Sequence, residues 1–62
     1  MDKQYIENQY RLAVLDFQLS KSEDDQWQSR KQMADLEHTA SVLFGFAYAD
    51  ELHEKMTKDI KM

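Results

Sequence analysis

One glycine and no proline occur in this chain, and that scarcity constrains its fold more than any other feature. These two residues most penalise a helix interior, at about 1 and about 3 kcal/mol relative to alanine, so their near absence predicts an almost wholly helical chain. Few β-branched residues are present, and strands have little support. At 62 residues the chain buries too little apolar surface to be comfortable alone; such chains need disulfides, a metal or a partner subunit. There is no cysteine, so disulfides, thiolate metal sites and thiol nucleophiles are excluded. Oligomerisation is the remaining route.

From Lys3 to Leu19, Ile6, Tyr10, Ala13, Val14 and Phe17 recur at three- and four-residue steps and define a first helix. Tyr5, Leu12, Leu15 and Leu19 widen its apolar side beyond what one partner helix covers, so contact with two neighbours is expected. The run from Leu19 to Asp25 is the clear punctuation: Ser22 is placed to accept from the Asp25 amide as an N-cap, and Glu23, Asp24 and Asp25 complement the helix dipole. A second helix then runs from about Glu23 to about Lys58, with Lys55, Lys58 and Lys61 at its far end. Glu7–Arg11, Glu51–Lys55 and Glu54–Lys58 stand in the favourable i, i+4 order on solvated faces.

Gly45, between Phe44 and Phe46, is read as a tolerated glycine that lets another helix pass close; a kink or break giving a third helix from about Phe46 is the alternative. Met33, Leu36, Ala40, Leu43 and Ala47 step like the a and d positions of a helix–helix seam. Beyond them Phe44, Tyr48, Leu52, Met56 and Ile60 step by four, which rotates the stripe by roughly 40° per step. A first helix of roughly 25 Å cannot cover a second of roughly 55 Å. The expected architecture is therefore all-α: a lopsided helical hairpin whose long helix leaves Phe44, Phe46, Tyr48, Leu52 and Met56 partly open, dimerising into a four-helix bundle. The expected interface, with a second copy or another partner, is Met33, Leu36, Ala40, Leu43, Phe44, Phe46, Ala47, Tyr48, Leu52 and Met56. Trp27 either closes the hairpin over Leu15 and Leu19 or stands exposed as an anchor; with Arg30 and Lys31 it is the candidate partner-facing surface.

The formal net charge of −4 argues against binding driven by phosphate neutralisation. An RNA-binding dimer using Lys3, Arg11, Lys21, Arg30 and Lys31 is the alternative reading. No window is apolar enough for a membrane span, and the start (Met1, Asp2, Lys3, Gln4) lacks the basic end and apolar core of a signal peptide, so a soluble, cytoplasmic protein is expected. Asp35-x-x-His38 and Asp50-x-x-His53 have metal-ligand spacing. Helical projection turns Asp35, His38 and His53 away from the seam, and they are read as surface residues. No metal or cofactor is expected, and no hydroxyl stands in a nucleophile elbow or triad arrangement. The expectation is a non-enzymatic protein-interaction module.

Size, helix content and the run Ala49, Asp50, Glu51, Leu52 in the second helix resemble the plasmid RNA-binding helical hairpin that dimerises into a four-helix bundle. The turn near Ser20–Ser22 falls well before the midpoint, unlike that hairpin, and its RNA-binding residues have no counterparts here. A cysteine-free acidic build with apolar blocks at Tyr5, Ile6 to Leu19 and Leu36 to Leu52 also resembles small accessory proteins from the early regions of lambdoid temperate phages. That resemblance implies a small regulator acting on host or phage proteins during the choice between lysis and lysogeny, in the host cytoplasm.

Overall fold

A computed structural model describes residues 2–58. Three helices follow one another: α1 Lys3–Leu19, α2 Glu23–Phe44 and α3 Phe46–Thr57. The first helix has the bounds its periodicity predicts. Asp2 caps it by accepting from the Tyr5 amide at 2.8 Å, and the Ser20 amide closes its last turn on the Phe17 carbonyl. Ser22 caps α2 as expected, accepting from the Asp25 amide at 3.2 Å, with three acids in the first turn.

The long second helix does not form. Gly45 ends α2 and opens α3 with φ 96° and ψ 161°, a conformation open in practice only to glycine. Its amide donates to the Ser41 carbonyl at 2.9 Å and its carbonyl accepts from the Ala49 amide at 3.2 Å, so one residue completes one helix and begins the next. Breaking forfeits two or three helix hydrogen bonds at about 1 kcal/mol each. Against that, burying Leu52 alone contributes about 1.5–3 kcal/mol, and Phe44, Tyr48 and Met56 also gain cover. Burial wins over helix continuity. The lopsided hairpin is thus corrected to three helices, with α3 supplying the cover that was expected from another chain.

The core is Ile6, Tyr10, Ala13 and Val14 of α1, Met33 and Ala40 of α2, and Ala49 and Leu52 of α3; Leu36, Phe44, Tyr48 and Met56 pack against it. Helix α1 touches two neighbours, both in its own chain, but Tyr5, Leu12, Leu15 and Leu19, expected to widen the buried side, stay exposed. Small residues at Ala13, Ser29 and Ala40, all buried, fit a close contact between helices. At the far end, Lys3 Nζ stands 5.3 Å from the Phe44 ring centroid and 5.0 Å from that of Tyr48, while the two rings meet edge to face at 5.3 Å. The expected continuation of the stripe to Ile60, and Lys61 at its end, lie outside the described residues.

The expected i, i+4 charge pairs rearrange. Glu7 accepts from Lys55 at 2.8 Å, linking α1 to α3, in place of the expected pair with Arg11. That hydrogen bond, followed by the charge of Glu7, raises the Lys55 pKa above its ordinary 10.5. Glu51 still acts on Lys55 through its charge, but the close ion pair of Lys55 is with Glu7.

Candidate interaction surfaces

Of the ten residues expected at an interface, Met33, Ala40 and Leu52 are buried inside the chain, and Leu36, Phe44, Tyr48 and Met56 are half-buried against the core. Leu43, Phe46 and Ala47 remain exposed. Their positions follow from the break at Gly45: Val42, Leu43 and Phe46 flank the corner between α2 and α3, and Phe46 is 80% exposed at the start of α3. The second half of the expected long helix is therefore no longer one open face.

A different apolar face is open. Tyr5, Leu12, Leu15 and Leu19 on α1 are 50%, 55%, 45% and 75% exposed. At about 100° per residue they share an arc of about 80°, and that arc is centred roughly opposite the arc of Ile6, Tyr10 and Ala13. So α1 carries two apolar stripes, one in the core and one facing out. Leu12 also borders a groove shared with Leu36 of α2, rimmed by Gln9, Asp16, Gln32 and Asp35. Periodicity had registered these leucines only as a widening of the core stripe; the step Leu12, Leu15, Leu19 was the available signal for a separate face.

Trp27 does not close the hairpin over Leu15 and Leu19. It is 67% exposed on α2, and Arg30 and Lys31 beside it are exposed too. The cations of the RNA reading are scattered: Lys3 is held over Phe44 and Tyr48, Arg11 lies on α1, Lys21 lies in the turn, and Arg30 and Lys31 lie on α2.

One polar cluster, absent from the sequence expectations, joins all three helices. Tyr10 Oη donates to Glu37 Oε2 at 3.2 Å and lies 3.1 Å from His53 Nδ1, which is 3.2 Å from Glu37 Oε1. A single proton arrangement satisfies all three contacts: Nδ1 carries a hydrogen directed at the carboxylate and the phenol oxygen, and the phenol hydrogen goes to the carboxylate. Burial first, then the charge of Glu37 and the hydrogen bond to it, push the Tyr10 pKa well above its ordinary 10.0. His53 is exposed, as expected of a surface residue, but its Nδ1 is engaged by Glu37 and Tyr10. The signal for this cluster was Tyr10 itself, since a phenol in a core stripe needs a polar partner. Tyr48 lacks one: its hydroxyl is buried with no hydrogen-bond partner among the described residues.

The two Asp-x-x-His pairs are not brought together. Among the described residues no three Asp, Glu or His side chains converge as metal ligands. No described helix is long and apolar enough to cross a membrane. Three helices around one small core, with large apolar side chains left exposed on each helix, define an all-α architecture. Comparison with protein-family models, with curated proteins and with solved structures finds no match for this chain.

Proposed function

We propose that this chain is a small non-enzymatic interaction module that works as a homodimer and binds a regulatory protein of the host or phage kind. One observation carries the reading: after the core is closed, Leu12, Leu15, Leu19, Trp27, Val42, Leu43 and Phe46 are still half or more open, or nearly so. Side chains of that size exposed in a chain of 62 residues mark association surfaces. These side chains fall in three regions, the outer stripe of α1, Trp27 of α2 and the corner between α2 and α3, which leaves room for more than one partner. The outer stripe of α1 suits a second copy, giving a helical bundle, and Trp27 with Arg30 and Lys31 suits a protein presenting an apolar pocket with an acidic rim.

Sedimentation over a concentration range tests the self-association. A folded monomer at about 0.5 mM, the weak end of specific binding, would remove the premise. The phage setting rests on the resemblance in build and is tested by co-purification from a bacterial host, where recovery of one stoichiometric protein, lost with Trp27→Ala, is the expected result.

A further inference from the structure

We infer that the second copy docks on the outer stripe of α1 as a parallel, in-register two-stranded helical seam, with Arg11 of each chain meeting Asp16 of the other. This rests on the homodimer reading and specifies its surface, its direction and its register.

Residues 5, 8, 12, 15 and 19 step by three and four, the a and d spacing of a heptad, with Tyr5, Leu12 and Leu19 at a and Asn8 and Leu15 at d. All five are exposed, and no described residue covers this face. The seam spans only about 21 Å, too short to hold two isolated peptides together. Here α1 is already ordered by its own core, which removes most of the cost of forming the helix on association.

Direction follows from the flanking charges. Arg11 falls at g and Asp16 at e, five residues apart, and in a parallel pair g of one helix meets e of the next heptad on the other. Each dimer would hold two such pairs. Both side chains are exposed, neither is in an ion pair among the described residues, and Glu7, the acid one turn before Arg11, is paired with Lys55 instead. Parallel alignment also sets Asn8 against the partner's Asn8, where two amides satisfy each other; a slip of one heptad would face each amide with a leucine. Antiparallel packing pairs a with d and has two registers. One sets Arg11 against the partner's Arg11, and the other sets Asn8 against the partner's Leu19 and separates Arg11 from Asp16. Charge and amide pairing both select the parallel form.

The test is sedimentation of the full chain and four variants, with helix content by circular dichroism as the folding control. Leu15→Lys is expected to abolish the dimer at concentrations where the parent chain is dimeric. Arg11→Glu turns both attractive pairs repulsive and is expected to weaken the dimer about tenfold, and the double variant R11E/D16R is expected to restore it. Because the chain has no cysteine, Asn8→Cys introduces a single thiol that should give a covalent dimer on oxidation. A parent chain that stays monomeric overturns the homodimer reading and the seam together. A dimer indifferent to Leu15→Lys overturns the seam and leaves the homodimer reading standing. Failure of the double variant to restore affinity, with no crosslink through Asn8→Cys, overturns the parallel direction.

Discussion

The hydroxyl of Tyr10 on α1 stands 3.1 Å from Nδ1 of His53 on α3, a contact between residues 43 positions apart in the chain. Glu37 of α2 completes the cluster. One polar side chain from each helix thus meets at this cluster, which joins the Glu7–Lys55 pair in tying α3 to the rest of the fold, while the apolar core supplies the bulk of the energy.

Tyr10→Phe keeps the ring packing and removes the hydroxyl from this cluster. It is expected to cost about 1–2 kcal/mol, the range for a hydrogen bond to a charged group that is partly solvated. Urea titration followed by circular dichroism measures it. A midpoint equal to that of the parent chain would show that the cluster contributes nothing to stability.

Tyr48→Phe is expected to act in the opposite sense. The Tyr48 hydroxyl is buried without a partner among the described residues, so removing it relieves a desolvation penalty of about 1 kcal/mol and leaves the edge-to-face contact with Phe44 in place. The same titration should place this variant at or above the parent midpoint.

Alkaline pH should destabilise the fold. Tyr10 keeps its proton in the folded chain above its ordinary 10.0, where the unfolded chain has lost it. The stability it contributes is whole below that value and is lost as pH rises beyond it. Lys55, whose pKa is also raised, acts in the same direction as its pair with Glu7 discharges. Thermal melts between about pH 9 and about pH 11 should show the decline, and Tyr10→Phe should make it shallower; equal slopes in the two proteins would count against Tyr10 as a source.

Gly45→Ala is expected to destabilise by about 1–3 kcal/mol. No heavy atom lies within 4 Å of an added Cβ, so the cost comes from the backbone conformation, φ +96°, and not from crowding. In a domain of this size that is a fall in melting temperature of at least about 4 °C. An unchanged melt would mean that the break does not depend on glycine.

Trp27→Ala should leave the melt within about 0.5 kcal/mol of the parent, as for other exposed positions, because the indole is 67% exposed and contributes little to the core. A loss above about 1 kcal/mol would return Trp27 to the hairpin-closing role.

Local chemistry made much of this fold legible. The bounds of α1, the Ser22 cap and the all-helical class depend on neighbours within a turn or two, and the sequence displays those neighbours side by side. The Gly45 break was legible only as an alternative. A glycine inside a helix and a glycine at a break differ by a few kcal/mol, and the difference is decided by whether Tyr48, Leu52 and Met56 find cover, which is a matter of distant contacts. The drift of that stripe was the true signal: a face that one straight partner cannot follow can be buried by bending instead of by adding a chain. Glu7 shows the same limit, since its neighbour four residues on lost the competition to Lys55 from a third helix.

By itself, then, the sequence determined that the chain is helical, where α1 and α2 begin, and that its apolar surface exceeds what one short hairpin can bury. Propensity, capping and periodicity act over a few residues and need no fold to operate. Tertiary structure decided where the excess lies. By turning at Gly45 and folding α3 onto α1 and α2, it buries Leu52 and half-buries Phe44, Tyr48 and Met56 of the stripe expected to need a partner, and leaves open the second stripe of α1. Burial is a property of the whole assembly of helices, and only that assembly separates an inward face from an outward one.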